Sequence, residues 1–192
     1  PVYVDSPLSV EATKIYAGDL KEYYDDEALE YLNKGENILT FKELYLTVTS
    51  SESIEINKNS VPKIIISSSG MCEAGRIRHH LKHNLWRKEC TVLFVGYQSA
   101  RTLGRIITDG AKYVNIMGEQ IAVKANIEQM DGISGHADMN MLIDWLGNIK
   151  TAPKMVFVNH GGDGVCDSFA ERITKKLDFP SIAPYNGASY SL

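Results

Sequence analysis

The sequence is poor in cysteine and has no long apolar run. Its three cysteines, Cys72, Cys90 and Cys166, lie far apart, which excludes the closely spaced framework of a small disulfide-stabilised secreted protein. No apolar run approaches the roughly 20 residues that a membrane-spanning helix requires. We therefore expect a cytoplasmic protein in a reducing compartment, without membrane association.

The sequence also has no large excess of charge of either sign. It contains 20 Lys and Arg residues against 24 Asp and Glu residues, which gives a formal net charge of -4 at pH 7. A protein without an overall positive field does not attract nucleic acid through its bulk charge. Any binding of RNA or DNA must therefore depend on a local basic patch.

Short apolar runs alternate with helical patterns over the first half of the chain. The spacing predicts strands at 2–4, 44–48, 63–66 and 90–95, and helices at 8–16, 20–32, 50–57, 75–85 and 103–107. Thr49 and Glu52 have the spacing of a capping box at the start of the third helix. Continuous apolar runs such as 63–66 are typical of strands buried in a parallel sheet. This half predicts a doubly wound, mostly parallel α/β fold.

The pattern changes from Tyr113 onward. Strands predicted at 113–117 and 120–128 flank Gly118-Glu119, which is a signal for a tight antiparallel hairpin. The remaining segments are a helix at 139–149, a strand at 155–159, a helix at 165–177 and an irregular strand at 181–192. We therefore place a domain boundary near residue 118. Residues 1–118 form the α/β module, and residues 119–192 form a second, incomplete α/β segment.

Two histidines follow apolar runs in the second segment. His136 follows the run 123–133, and His160 follows the run 155–158. Each is followed by a helical pattern, which places both at the carboxyl ends of strands, where α/β sheets bind ligands. The two imidazoles could therefore converge on one crevice. A pair of histidines lacks the four-ligand spacing of a strong zinc motif, so two unrelated polar residues in loops are the alternative.

A Ser/Gly loop follows the predicted strand at 63–66. Its residues, Ser67-Ser-Ser-Gly70-Met71, precede a helical pattern, and such a loop offers backbone N–H groups and the positive end of a helix dipole to a phosphate. It is not a P-loop, because no Gly-Lys-Ser/Thr follows. Arg76 follows the first of two consecutive strands, and Arg101 and Arg105 follow the second, so these arginines could line one sheet edge near a bound polyanion. The alternatives are a simple tight turn, solvated arginines, or an independent nucleotide-binding domain that uses this loop.

Seven short motifs, in order along the chain, resemble those of the β-CASP branch of the metallo-β-lactamase-fold nucleases, which includes bacterial RNase J. They are Val4-Asp-Ser-Pro-Leu8, Ser68-Ser-Gly-Met71, Gly75-Arg76, Gly96-Tyr-Gln98, Thr102-Leu-Gly-Arg105, Ser134-Gly-His-Ala-Asp138 and Val158-Asn-His-Gly161. In that family an α/β β-CASP module is inserted into a metallo-β-lactamase fold, to which the chain then returns. The boundary near residue 118 falls where that return is expected.

The resemblance implies roles for the second-segment residues. It implies that His160 is a zinc ligand and that His136 contacts the scissile phosphate, as an acid or as an electrostatic stabiliser. Ser134 could donate to a phosphate oxygen, and Asp138 either starts the next helix or orients His136. Together with Ser69, Gly70, Arg76 and Arg105 as phosphate contacts, these residues make up the predicted site.

The sequence departs from the family at two places. The family's His-x-His-x-Asp-His element would precede Pro1, and the chain starts without methionine in a strand-like run, so we expect it to be the carboxyl part of a longer protein. Ser99-Ala-Arg101 also stands where many members have Ala-Glu-Gly.

The resemblance implies part of a zinc-dependent ribonuclease. Two zinc ions are expected in the full-length enzyme, where they would activate a water molecule and bind the phosphate oxygens. This chain alone should hold zinc weakly and be inactive. The expected partners are RNA, the missing amino-terminal half of the lactamase fold and, through self-association, further copies of the chain. The alternative is a non-catalytic RNA-binding or scaffolding module.

Overall fold

The computed structural model describes residues 1–18, 21–130, 132, 135–162 and 164–191. The chain divides into two compact units, Pro1–Ile133 and Ser134–Leu192. None of the helices in these described stretches is long and apolar enough to cross a membrane.

The first unit alternates strands and helices, as the apolar pattern predicts. Its elements are β1 (Val2–Val4), α1 (Pro7–Tyr16), a 3-10 turn (Lys21–Tyr23), α2 (Asp26–Asn33), β2 (Leu44–Leu46), α3 (Ser50–Lys58), β3 (Ile64–Ile66), α4 (Ile77–Asn84), β4 (Thr91–Phe94), α5 (Leu103–Thr108), β5 (Tyr113–Ile116), β6 (Glu119–Ala122) and β7 (Asn126–Gln129). The capping box is confirmed, because Thr49 Oγ1 accepts from Glu52 N and the Glu52 carboxylate accepts from Thr49 N.

The strands of the first unit form three sheets. In the first, β1 lies between β2 and β3 and is parallel to both, with Val2 opposite Leu44 and Ile64. In the second, β4 pairs in parallel with β7. The third is the antiparallel β5–β6 hairpin, which confirms the turn signal at Gly118-Glu119. The predicted parallel α/β fold is therefore confirmed.

Two predicted elements are wrong in their extent. The helix predicted at 20–32 is replaced by a 3-10 turn and by α2, because the Asp25 carboxylate accepts from Ala28 N and starts a new helix there; Leu20 lies outside the described residues. The strand predicted at 120–128 is two strands, because Lys124 N and Ala125 N both turn to donate to Leu85 O. Because β7 pairs with β4, residues 119–130 pack in the first compact unit. The boundary between two domains near residue 118 stays a prediction.

A hydrophobic core of the first unit is formed mainly by side chains from α4, β4, α5 and β5. Its buried members are Cys72, Leu81, Leu85, Phe94, Leu103, Ile107, Val114, Ile116 and Ala125. Cys72 takes part as an apolar side chain, and burial raises the pKa of its thiol to about 11, so it stays protonated at neutral pH.

A buried carboxylate joins four elements at one end of the first sheet. Asp5, which follows β1, is fully buried (0 % exposed). Its Oδ1 accepts from Arg76 Nη1 at 2.6 Å, and its Oδ2 accepts from Ser53 Oγ and from His80 Nε2, each at 2.6 Å. Arg76 also donates from Nη1 to Thr47 O at 3.1 Å and from Nη2 to the next carbonyl at 2.7 Å. A buried charge is costly unless it is paired and hydrogen-bonded, and Asp5 meets both conditions.

The contacts of Asp5 shift two pKa values. Burial by itself raises the pKa of Asp5, but the hydrogen bonds from Ser53, His80 and Arg76 outweigh it and hold that pKa below its ordinary value. Burial lowers the pKa of His80, and this effect outweighs the opposing attraction of Asp5. At neutral pH the network therefore contains an ionised Asp5 and a neutral His80.

The second unit contains α6 (Met139–Gly147), β8 (Val156–Phe157), α7 (Val165–Leu177) and β9 (Ser181–Ile182), and β8 pairs in parallel with β9. Its core consists of Ile143 and Leu146 from α6, Ile173 from α7, and Phe179. The helix predicted at 165–177 is confirmed at both ends. The irregular strand predicted from Ser181 onward is confirmed only for β9.

We predict that acidification destabilises the first unit. Because both pKa values are lowered in the folded state, the unfolded chain binds more protons than the folded chain as the pH falls. The free energy of unfolding therefore falls as the pH drops below 6.5, the ordinary pKa of His80, and falls again as the pH drops below 3.8, the ordinary pKa of Asp5. Urea unfolding at a series of pH values measures this. Fluorescence of Trp86, beside α4, reports it in a Trp145→Phe background, because the sequence has two tryptophans.

His80→Gln cannot titrate and should lose the part of this pH dependence that lies just below pH 6.5. His83→Gln, which changes an exposed histidine of the same helix, is the matched control and should keep it. A wild-type stability that does not change between neutral pH and pH 5 contradicts the prediction.

Gly104 of α5 is predicted not to tolerate alanine. A Cβ at this position would lie 1.8 Å from Oε1 of the buried Gln98, so Gln98 and the loop that it holds must move. We expect Gly104→Ala to cost about 1–3 kcal/mol in spite of the better helix propensity of alanine. Gly96→Ala is the control, because a Cβ there meets nothing within 4 Å. Equal urea midpoints for the two variants contradict the prediction.

Candidate functional site

The Ser/Gly loop after β3 is held mainly through its carbonyl groups. Four consecutive carbonyls, those of Ser68, Ser69, Gly70 and Met71, accept from Ile77 N, Cys72 N, Gln98 Nε2 and Gly104 N respectively. Ser67 Oγ donates to Asp5 O at 2.9 Å, and the hydroxyl oxygens of Ser6 and Ser68 lie 2.8 Å apart. The loop is therefore fixed to β1, to the loop after β4 and to α5.

The helix predicted at 75–85 begins two residues later than predicted. Helix α4 begins only at Ile77, and its N-cap is Arg76, which makes no side-chain capping bond. Ser69 is half-buried and Gly70 is exposed, both in the irregular segment before the helix. Their role as phosphate contacts stays a prediction, and it depends on the loop itself and not on a helix dipole.

The two predicted phosphate-binding arginines each have a protein partner. Arg76 is bound to Asp5 and to two carbonyls, and only 16 % of its side chain is exposed. Arg105 Nε donates to Asp109 Oδ1 at 2.8 Å in an exposed i,i+4 pair, which contributes little and exchanges readily with other partners. If Arg76 left its place, the buried charge of Asp5 would lose its main partner. A phosphate contact is therefore easier for Arg105, and it stays a prediction for both.

A groove between α3 and α4 is lined by basic and polar side chains, and its two lysine and arginine side chains, Lys58 and Arg76, each pair with a carboxylate. Its volume is about 310 Å³, and it is lined by Ser50, Ser53, Ile54, Asn57, Lys58, Arg76, His79 and His83. None of these lining residues is acidic, although Lys58 Nζ is 2.7 Å from Glu55 Oε1 at its edge. Positive and polar side chains together suit a phosphate-bearing ligand.

His160 lies just beyond β8, as the sequence predicts. It is exposed, and its backbone has a left-handed φ of +64°. Its N–H donates to Asn159 Oδ1 at 2.9 Å, and the N–H of Gly161 donates to Cys166 Sγ at 3.1 Å. Val158 N donates to Ile182 O at 2.9 Å, so the strand pairing continues to within two residues of the histidine. These contacts fix the loop that presents His160.

His136 does not follow a strand directly. The run 123–133 ends as a strand at Gln129, in the first unit, whereas His136 is an exposed residue that precedes α6 in the second unit. The strands that precede the two histidines belong to different sheets, β4–β7 and β8–β9, so a shared sheet edge does not bring them together. Ser134 lies outside the described residues.

Asp138 starts α6. Its Oδ1 accepts from Asn140 N at 2.8 Å and from Met141 N at 2.9 Å, which satisfies two N–H groups of the first turn. Of the two roles considered from the sequence, capping is confirmed. A further role in orienting His136 stays a prediction.

Zinc would need ligands from outside the described residues. Among residues 1–18, 21–130, 132, 135–162 and 164–191, no group of three or more His, Cys, Asp or Glu side chains is placed to hold a metal ion. A catalytic zinc takes three protein ligands and a water molecule, so the imidazole of His160 alone does not make up such a site.

Sequence reasoning missed the network around Asp5. Asp5 and Arg76 both lie in motifs that resemble the family's, but the motifs alone suggested no role for Asp5 and only an RNA contact for Arg76. His80 lies in a helix rich in basic residues, and no motif in the sequence singles it out. The available signal was the spacing on α4, because Ile77, Leu81 and His80 lie on the side of the helix that faces the interior.

Two family models match the chain in succession. The Beta-Casp domain model matches residues 1–107, and the model for the Zn-dependent metallo-hydrolase RNA specificity domain matches residues 120–184.

Curated relatives match most of the chain. Ribonuclease TTHA0252 of Thermus thermophilus is 34% identical over 161 residues, which are 84% of this chain and 36% of that protein. Transcription termination factor FttA of Methanosarcina mazei is 31% identical over 192 residues, and FttA of Pyrococcus abyssi is 30% identical over 192 residues. Each of these alignments covers 97% of this chain, and they cover 30% and 29% of the two archaeal proteins.

The chain spans about a third of the length of these relatives. Because the Beta-Casp model matches more than half of its residues and the RNA specificity model follows it, the chain belongs to the β-CASP family of metallo-β-lactamase-fold proteins.

Proposed function

We propose that this chain is the β-CASP module and the RNA-specificity segment of a zinc-dependent ribonuclease that hydrolyses RNA phosphodiester bonds during RNA processing or decay. The match of residues 120–184 to the RNA specificity domain of Zn-dependent metallo-hydrolases carries the proposal, because this match contains both His136 and His160. The relative named Ribonuclease TTHA0252 supports the same reaction.

In this proposal the residues of the second unit act on the scissile phosphate. His160 is exposed and fixed at the end of β8, so its imidazole can supply one ligand to a zinc ion whose other ligands come from the rest of a longer protein. His136 contacts the phosphate and donates or holds a proton there. Asp138 fixes the backbone between His136 and α6 through its capping bonds. Ser134 donates to a phosphate oxygen.

The first unit binds the RNA backbone in this proposal. Ser69 and Gly70 lie in a loop whose carbonyls are held by protein donors, and Arg105 has an exposed guanidinium that can exchange Asp109 for a phosphate. Arg76 contributes its positive charge to the basic groove between α3 and α4. Because the net charge is -4, binding of RNA depends on individual basic side chains of this kind and not on bulk charge.

A second candidate function is a non-catalytic RNA-binding module. It is favoured by the described residues, which contain no cluster of three or more metal ligands, and by relatives named as transcription termination factors. The two functions differ in whether the rest of the protein completes a zinc site. Zinc content and RNA cleavage of the full-length protein distinguish them.

We predict that the isolated 192-residue chain binds zinc weakly and cleaves no RNA, since His160 supplies one ligand where about three are needed. Calorimetry with zinc chloride and a cleavage assay with labelled single-stranded RNA test this. His160→Ala is the control, and it should abolish whatever weak binding the wild-type chain shows. Stoichiometric zinc at submicromolar affinity, or turnover by the purified chain, contradicts the prediction.

In the full-length protein, His160→Ala and His136→Ala should differ. His160→Ala removes a metal–nitrogen bond, so zinc content and cleavage should fall together. His136→Ala leaves the ligands in place, so zinc and RNA binding should persist while turnover drops about 10²–10⁴-fold, the usual effect of removing a positioned acid-base group. Metal analysis and single-turnover kinetics measure both. Full zinc occupancy without His160, or near-normal cleavage without His136, contradicts the corresponding role.

A further inference from the structure

Six non-glycine residues of the described chain have a left-handed backbone. Three of them lie at the ends of regular elements. Glu43 directly precedes β2, Met117 lies in the β5–β6 hairpin turn, and Asp178 directly follows α7. The last two places are those where turns and helix ends commonly require a positive φ. The other three, Cys72, Arg101 and His160, lie in the loops that follow β3, β4 and β8.

Within this second group, Cys72 is stabilised by the burial of its side chain in the core, whereas the side chain of Arg101 is not buried. Cys72 is 3% exposed and packs in the first unit's core, so the burial of its side chain compensates for its backbone conformation. Arg101 has a φ of +70° and an exposed side chain. A residue with a Cβ adopts this conformation at a cost that glycine avoids.

The backbone of Arg101 is set by a tight turn from Ser99 to Thr102. The N–H of Thr102 donates to Ser99 O at 3.2 Å, and its Oγ1 donates to the same carbonyl at 2.8 Å. Thr102 Oγ1 also accepts from Arg105 N at 3.2 Å and so caps α5. A positive φ at the third residue of a turn, as in type II turns, favours glycine, yet this chain has an arginine there.

The turn is tied to the Ser/Gly loop. Gln98, which precedes the turn, donates from Nε2 to Gly70 O at 3.0 Å, and Gly104, which follows it, donates from its N–H to Met71 O at 3.1 Å. Arg101 is thus carried by a segment that is fixed on both sides to the loop of Ser69 and Gly70.

Arg101 also differs from the two arginines that the sequence analysis selected. Arg76 is bound to Asp5, and Arg105 pairs with Asp109. In the described part of the chain no carboxylate lies within ion-pair distance of Arg101. Its guanidinium has the fork of donors that binds phosphate in bidentate fashion, and among the described residues it has no acceptor to give up.

We propose that Arg101 is an RNA phosphate-binding residue, presented beside the Ser69–Gly70 loop by a turn whose conformation favours glycine. The proposal deepens the proposed function and depends on it, since it assumes that RNA binds at this loop. It adds Arg101 to the predicted site, which contains Arg76 and Arg105, and gives its guanidinium a specific phosphate contact.

Paired substitutions at Arg101 test the contact and the backbone separately. Arg101→Ala and Arg101→Gly both remove the guanidinium, so each should weaken binding of a fluorescein-labelled oligo(U) RNA to the 192-residue chain about tenfold. Each should also make the slope of log affinity against log salt shallower by about 0.7, the value for one phosphate on a single strand. Arg101→Lys should retain part of the affinity and the full slope. The glycine variant should unfold roughly 2–4 °C above the alanine variant.

Met117 and Lys14 provide matched controls. Met117→Gly compared with Met117→Ala repeats the backbone contrast in the hairpin turn without loss of charge, so stability should change and RNA affinity should not. Lys14→Ala removes an exposed cation from α1 that pairs with Glu11, and it should leave the RNA affinity nearly unchanged.

The outcomes separate this proposal from the proposed function. Unchanged RNA affinity in Arg101→Ala and Arg101→Gly, with a wild-type chain that binds RNA, overturns the contact and leaves the proposed function intact. An alanine variant as stable as the glycine variant overturns the claim about the backbone. A wild-type chain that does not bind the RNA at any salt concentration overturns the contact together with the proposed RNA-binding role of the first unit.

Discussion

The first unit is organised around the buried carboxylate of Asp5. Arg76 reaches it from the position before α4, His80 from α4 and Ser53 from α3. Arg76 also donates to the two carbonyls that follow β2. Three short hydrogen bonds, one of which is also the ion pair with Arg76, compensate for the desolvation of the charge, so the network is stable only when all of these elements are in place. Such an all-or-none arrangement aligns the ends of β1 and β2 with the start of α4. Because hydrogen bonds are directional, such a network favours one arrangement of these elements more strongly than apolar packing alone does.

The same network fixes the candidate RNA-binding loops. Ser67 donates to the carbonyl of Asp5, and the loop that Ser67 begins is joined through Gly70 to Gln98. Gln98 in turn packs against Gly104, where no side chain fits. The loops after β1, β3 and β4 therefore form one continuous assembly of hydrogen bonds on a rigid scaffold. Binding residues are commonly carried by loops that are held in this way.

The sequence predicted the order and type of most elements, because continuous apolar runs and capping residues are local signals. Thr49 with Glu52, and the whole of α7, are examples. It did not predict the break between β6 and β7, because that break depends on the distant carbonyl of Leu85. It also assigned Arg76 to the ligand, because a motif identifies an important arginine but does not say whether its partner is a phosphate or a carboxylate. The placement of His160 was predictable from one strand and one loop, whereas the position of His136 depends on where the first unit ends.

The residues that resemble the family therefore carry two different kinds of constraint. Asp5, Arg76, Gln98 and Gly104 are buried or nearly so, and their identities follow from contacts inside the first unit. His136, His160 and Arg101 are exposed. For His160 and Arg101 the backbone is left-handed as well, which a residue with a Cβ adopts only when the surrounding contacts impose it. Since the fold itself would accept glycine at both positions, packing does not account for the imidazole and the guanidinium there, and this is why both are proposed as ligand-binding groups.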